Sequence, residues 1–433
     1  MPRSKSAKSL LKQQLKDDKL IETGSTFCMI PWIHLHTSPT GIAAPCCIAK
    51  SCGSDEGVGN SRKQNLMEIV NSDKMKYLRL DMMEGMRNAE CTNCYAHEEQ
   101  GVSSFRKMVN EEFKEYYDDV INHTNPDGSL SKFKMRYFDI RFNNICNFKC
   151  RTCGSGFSTQ WEQEDLKHKV PFAKIIPKNN NPEFLEDVIN QIDHMKTAYF
   201  AGGEPLITEE HYILLEEMIR RKKTDIHLRY NTNLSNIKFK DKDLLSLWKH
   251  FTNRIDVYAS IDHYGERAEY IRHGTDWALV ESNFITVKKT PYINLQTNTV
   301  LSVFNCLTFY EFWSYLIDKD LYMPKDSTYS VYNMATPPHL TCHILPQEYK
   351  EKAKESMEKA IKLMKFKGFD QWKVKQLEDT IPWIFANNTW EQHKKEFRTE
   401  TKRLDSIRGE SFTKTFPELG KLIIDDRKLL WPV

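Results

Sequence analysis

Short runs of β-branched and aromatic residues recur along the chain from about residue 131, at 136–142, 197–200, 226–230, 255–259, 293–297 and 329–332. Between them lie longer stretches, such as 209–221 and 241–250, with apolar residues at helical spacing. Six strands joined by helix-length connections predict parallel βα units. Six units fall short of the eight that close a full barrel, so the expected fold class is α/β, a partial (βα)6 TIM-like barrel. After Pro346 the pattern becomes charged and helical, with Tyr349, Ala353, Met357, Ala360, Ile361 and Met364 marking one apolar face and further helix expected to Leu419.

The first part of the chain reads differently. Six Lys or Arg against two Asp in residues 1–20 predict a basic tail or frayed helix. Residues 21–130 hold six cysteines, turns between Ser51 and Asn60, and a helical stretch over 66–80. A turn cluster, Asn122-His-Thr-Asn-Pro-Asp-Gly-Ser, predicts a boundary near residue 130. The expected segments are therefore 1–20 (tail), 21–130 (cysteine-rich module), 131–345 (partial barrel) and 346–433 (helical extension).

Composition narrows the function classes. The chain has 433 residues, 40% hydrophobic and 12% aromatic, enough to pack cores. Its 62 basic and 59 acidic residues leave a net charge of +3, too balanced to call for nucleic acid or an anionic membrane. No apolar run approaches the ~18 residues of a membrane span, and the start lacks the apolar stretch of a secretory signal. These features predict a soluble, cytoplasmic protein. In a reducing compartment its 11 cysteines are expected to be metal ligands, reactive thiols or small buried groups rather than disulfides.

The sharpest motif is Cys146-Asn-Phe-Lys-Cys150-Arg-Thr-Cys153, directly after the first strand of the barrel. Loops after strand C-termini carry the chemistry in such folds. Three thiolates wrapping one [4Fe–4S] cluster leave one iron open to a ligand, whereas zinc prefers a fourth ligand that is not found nearby. The first cysteine group in chain order comprises Cys28, twelve residues, Gly41, four residues, Cys46, and then Cys91-Thr-Asn-Cys94, and the CxxxCxxC motif is the second. Four thiolates complete a shell for one cluster, with tetrahedral zinc the lesser alternative that they would also suit. Cys47 competes with Cys46 as a ligand, and Cys52 reads as an unligated neighbour. His34, His36 and His97 read as hydrogen-bonded packing residues, and 98–106 as a solvated helix start.

CxxxCxxC at the end of a first barrel strand resembles the radical S-adenosylmethionine (SAM) superfamily, and the likeness runs on for about 200 residues. Ala201-Gly-Gly-Glu-Pro205 after the second strand is similar to the GGEP motif that holds the SAM amino group, which implicates Gly202, Gly203 and Glu204. The third strand ends at Asn233 and the fourth at Ser260, and Arg272 follows. The resemblance assigns Ser260 and Arg272 to the SAM carboxylate and ribose, an assignment that suits an arginine fork. Val300 and Leu301 would touch the adenine. Thr152 departs from the aromatic residue usual before the third cysteine. The first cysteine group resembles the auxiliary-cluster module of SPASM and twitch proteins, in its shorter twitch form, although here it precedes the barrel.

The resemblance implies an enzyme. The cluster at Cys146, Cys150 and Cys153 would reduce SAM to methionine and a 5′-deoxyadenosyl radical that abstracts hydrogen from a substrate. The auxiliary cluster at Cys28, Cys46, Cys91 and Cys94 would assist. Implied partners are SAM, an external one-electron reductant and a substrate, a peptide or protein first and a sugar-like small molecule second. A non-catalytic two-cluster electron carrier is the alternative from another class. His339, Cys342 and His343 are further candidates for substrate chemistry, and Cys306 reads as a buried apolar group.

Overall fold

The computed structural model describes residues 26–101, 103–171, 175–176, 181–324 and 329–424. The expected basic tail over 1–20 lies outside these residues. The chain divides into two compact units. One takes the chain up to Ile145 together with Ser155–Tyr230 and Ser246–Arg254; the other holds Cys146–Gly154, Asn231–Leu245 and the chain from Ile255 onward. Both are mixed α/β.

In the first unit the strands Tyr137–Ile140 and Thr197–Phe200 and the residues His227 to Tyr230 of the strand His227–Thr232 run parallel in chain order, with Tyr137 opposite Thr197 and Thr197 opposite His227. A strand the sequence pattern did not single out, His34–Thr37, lies parallel on the other side of Tyr137–Ile140, His34 opposite Tyr137. Ile42–Ala44 and Gly59–Asn60 continue this sheet antiparallel. One face packs as an aromatic stack: Phe138 on Phe200 at 5.2 Å, Phe200 on Tyr230 at 5.1 Å, Tyr230 on Trp248 at 5.0 Å. Such pairs add to the burial of their large apolar area. The Trp248 indole N–H donates to the Tyr230 hydroxyl at 3.0 Å, so the buried polar tips are satisfied.

The helical stretch expected over 66–80 is two helices, Leu66–Val70 and Asp73–Met83, separated at Asn71 and Ser72. Asn65 and Glu68 form a reciprocal capping box at the first. From the second, fully buried Arg79 donates to the carbonyls of Pro31, Val70 and Gly128 at 2.8, 2.6 and 3.0 Å. Gly128 has a φ of +80°, and a Cβ there would sit 2.5 Å from the Lys76 carbonyl oxygen. The turn cluster near 122–129 is thus a pinned turn inside one unit, and the two units part elsewhere in the sequence.

In the second unit Ile255–Ser260, Ile293–Leu301 and Tyr329–Asn333 run parallel in chain order, Ile255 opposite Ile293 and Thr297 opposite Tyr329. All six strand segments read from the sequence are therefore strands. The C-terminal part forms the helices Gln347–Phe366, Gln371–Phe385 and Trp390–Arg408, followed by the short helix Phe412–Thr415. The apolar face read from Tyr349 to Met364 is buried at every one of its six positions. Among the described residues no helix is long and apolar enough to cross a membrane.

Candidate metal centres

The first cysteine group assembles within one unit. Gly41, with a φ of +85°, makes the tight turn between His34–Thr37 and Ile42–Ala44, and its amide donates to Ser38. A side chain there would collide with Arg62 at 2.8 Å, which explains the glycine between Cys28 and Cys46. Cys91 precedes the helix Thr92–Glu99 and Cys94 lies in its first turn. The loop carrying Cys46 is bound to this helix start. The Asn93 amide donates to the Ile48 carbonyl at 2.9 Å, and the Ser51 amide to the Glu90 carboxylate at 2.9 Å. Asn110 clamps the segment around Cys28, accepting from the Met29 amide and donating to the Phe27 carbonyl, both at 2.9 Å.

Cys28, Cys46, Cys91 and Cys94 line one cavity, together with Arg106 and Glu90. Burial pushes all four thiols up, and neighbouring thiols add to the effect: Cys47 and then Cys28 at Cys46, Cys91 and Cys94 at Cys28, and Cys94 at Cys91, which reaches about 12. Arg106 supplies positive charge beside them. It is fixed by Glu98 at 2.5 and 3.0 Å and donates to the Phe27 carbonyl at 2.8 Å. The stretch 98–106, expected to be a solvated helix start, is therefore anchored by a largely buried ion pair facing the cysteines. An isolated charged pair in the sequence carries no sign of this.

Cys47 points into different surroundings. Its thiol, pushed up to about 12 by burial, senses Asp139, Arg141 and Cys52. The His36 ring binds the Asp139 carboxylate at 2.8 Å and is hydrogen-bonded to Cys52. Burial opposes a charged His36 ring, but the Asp139 carboxylate outweighs it and holds the ring up at about 9. His34 bonds the Tyr137 carbonyl at 2.9 Å, and burial lowers it to about 4. Both histidines are packed and hydrogen-bonded as expected, whereas His97 is exposed on its helix.

The second cysteine group lies in the other unit. Lys149–Cys150 pairs with Arg272–His273 as a two-stranded ribbon, Cys150 opposite Arg272. The Phe148 amide donates to the Cys146 sulfur at 3.4 Å and the Cys153 amide to the Cys150 carbonyl at 3.0 Å. Asn233 donates to Asn147 at 3.0 Å, so the residue ending the third strand braces the loop between Cys146 and Cys150. Arg272 places its Nη1 4.0 Å from the Cys150 sulfur, and its Nε meets the Asp262 carboxylate at 2.8 Å. Burial pushes the Cys150 thiol up to about 12 while Arg272 draws it down. Asp262 also accepts from the Val300 amide at 2.8 Å, tying together the ends of two strands. Ser260 closes its strand two residues before Asp262.

Gly202, Gly203 and Glu204 belong to the first unit. Gly203 has a φ of +50°, and a Cβ would lie 2.3 Å from the Ile145 carbonyl oxygen. The Glu204 amide donates to that same oxygen at 2.7 Å, and its buried carboxylate accepts from the Leu206 amide at 3.1 Å. His339, Cys342 and His343 pack among the C-terminal helices instead of standing free on a loop. His343 bonds the Trp383 carbonyl at 2.9 Å, His339 lies 3.2 Å from Glu396, and Cys342 is fully buried in hydrogen-bond contact with buried Cys306.

Among the described residues no three His, Cys, Asp or Glu side chains are gathered so as to hold a single metal ion. A cluster makes a different demand, because each thiolate binds its own iron and the ligands surround a cavity. The thiol-lined cavity with Cys28, Cys46, Cys91 and Cys94 fits that demand.

Residues 28–95 match the SPASM family, described as an iron-sulfur cluster-binding domain. No curated protein matches the sequence. Among solved structures, TYW1 with a lysine-pyruvate adduct bound is similar at 12% identity and a TM-score of 0.28, over 53% of this chain and 70% of that one. Streptococcus suis SuiB bound to S-adenosylmethionine is similar at 12% identity and a TM-score of 0.32, over 68% of this chain and 63% of that one. The family match spans the three cysteine positions Cys46, Cys91 and Cys94 and begins at the fourth, Cys28, so all four cysteines of the thiol-lined cavity lie in the segment that is similar to the SPASM iron–sulfur cluster-binding domain.

Proposed function

We propose that the protein is a radical SAM enzyme acting on a peptide or protein, with the SPASM domain holding an auxiliary iron–sulfur cluster. The observation that carries this is the CxxxCxxC loop, which follows the first strand of a parallel βα run and has Arg272 set against Cys150. A [4Fe–4S] cluster on Cys146, Cys150 and Cys153 supplies the one-electron chemistry that converts SAM to methionine and the 5′-deoxyadenosyl radical.

The chain's own residues bind and orient. Gly202 and Gly203 let backbone approach a ligand where a Cβ would clash, and Glu204 offers a carboxylate to the SAM amino group. Asn233 holds the cysteine loop through Asn147. Ser260 and Arg272 serve the SAM carboxylate and ribose. Because the Arg272 Nε is engaged by Asp262, its terminal nitrogens are the ones directed to the cysteine loop and ligand. In the SPASM domain, Arg106 offsets the negative charge that four thiolates bring to a buried cavity.

Anaerobic reconstitution with iron, sulfide, SAM and dithionite tests the reading. The wild-type chain is expected to release 5′-deoxyadenosine, and release should rise with a peptide mixture more than with a sugar mixture. Cys146→Ala, Cys150→Ala and Cys153→Ala together should abolish it and remove about four irons per chain. A fully iron-loaded protein that releases none is an electron carrier, and the enzyme reading fails.

A further inference from the structure

The C-terminal extension reaches the cysteine loop through one buried charge. Arg151 stands between Cys150 and Cys153, and its side chain is 1% exposed. Its guanidinium donates to Asp405 at 2.7 Å and to Glu410 at 2.6 Å, both more than 250 positions away in sequence. It also lies over the Tyr270 ring at 3.7 Å and donates to the Tyr270 carbonyl at 3.3 Å. A buried guanidinium without carboxylates is strongly unfavourable, so these two acids fix where the arginine sits. Its planar fork also fixes the direction from which they approach.

Glu410 also holds the opposite strand of the ribbon, and Asp405 holds the helix end that leads into it. Glu410 accepts from His273 at 2.6 Å, and His273 is opposite Lys149 and next to Arg272. Asp405 accepts from the Tyr270 hydroxyl and the Phe412 amide, both at 2.7 Å. Between the acids, Gly409 ends the helix Trp390–Arg408 in a left-handed conformation, φ +68°, and the Glu410 amide returns to the Asp405 carbonyl at 3.0 Å. That reversal turns both carboxylates onto one guanidinium. The ribbon that sets Cys150 against Arg272 is thereby gripped on both strands from a segment far downstream.

We propose that Asp405 and Glu410 are positioning residues for the CxxxCxxC loop, holding it ready for its cluster through Arg151 and His273. The proposal rests on the radical SAM reading for what the loop binds, but the grip itself can be measured without metal. The test uses the full chain carrying Asp405→Asn and Glu410→Gln. In the cluster-free protein, amide hydrogen exchange over residues 146–153 should rise at least about tenfold, with residues 28–95 unchanged. After loading, the electron paramagnetic resonance signal that the triple cysteine variant lacks should lose intensity or shift in midpoint potential, while the SPASM-domain signal stays. Arg151→Lys, which keeps the charge and loses the fork, should fall between.

Unchanged exchange over 146–153 overturns the proposal. So does a raised exchange with a loaded signal identical to wild type in intensity and potential. If the double variant opens throughout, including residues 28–95, Glu410→Gln alone decides by the same two readouts. Raised exchange together with a wild-type chain that shows no second cluster signal overturns the radical SAM reading and leaves the grip on the loop standing.

Discussion

Cys46 and Cys47 are neighbours in the chain and face different chemistry. Cys46 joins Cys28, Cys91 and Cys94 around a cavity with Arg106, while Cys47 senses Asp139, Arg141 and Cys52. Sequence spacing supplied the four-cysteine set but no direction for either thiol, because adjacent residues in an irregular loop obey no fixed periodicity. Cys46→Ser is expected to cost the auxiliary cluster, about four irons per chain, whereas Cys47→Ser keeps it; iron content and visible absorption check both. The His36–Asp139 pair yields a pH dependence. A histidine raised from about 6.5 to about 9 contributes stability that is full below pH 6.5 and is lost as pH climbs through 9. Asp139→Asn should therefore be less stable than wild type at pH 6, with a gap that narrows by roughly 3 kcal/mol toward pH 9.5, as read by urea denaturation. A gap that widens with pH contradicts this assignment.

Individual elements were legible where their composition is strong. The runs at Thr197–Phe200 and Ile255–Ser260 combine β-branched and aromatic residues, and helices of ordinary length separate them. His34–Thr37 was not legible. It is four residues long, contains two histidines, and is buried at every position, so it shows neither alternation nor an apolar run. Tertiary partners, the Tyr137 carbonyl and the Asp139 carboxylate, each bond the Nδ1 of one of those buried rings. The glycine pair after Thr197–Phe200 reads in the sequence as a close approach to a ligand, and at Gly203 the close neighbour in the structure is the chain's own Ile145 carbonyl oxygen. Gly203→Ala forces a Cβ against the Ile145 carbonyl oxygen at a φ of +50°. It should destabilise the chain by about 2 kcal/mol and weaken SAM binding by at least about tenfold, measured by thermal melting and calorimetry. Gly202→Ala meets the Arg141 side chain instead, which can swing away at smaller cost in space although φ +83° still carries strain.

At the scale of the molecule, the α/β class was legible in the sequence, whereas the grouping of the strands into two compact units was not. Turn-forming residues near 122–129 predict a domain boundary, but turn chemistry is local and cannot reveal Arg79 reaching Gly128 from another helix. The long-range acid pair at Asp405 and Glu410 was equally hidden, since charged residues in and just past a helix ordinarily face solvent. The pairing of His34–Thr37 with Tyr137–Ile140 has a practical consequence for dissecting this protein. Expression from residue 131 onward would strip one neighbour from Tyr137–Ile140 and leave its amides and carbonyls bare, an invitation to intermolecular strand addition. Such a fragment should elute in the void volume of a sizing column, and co-expression with the severed piece 1–130 should return it to the included volume. The segment that carries His34–Thr37 is in that sense a missing rib of the sheet, and a split-protein complementation assay could be built on the seam.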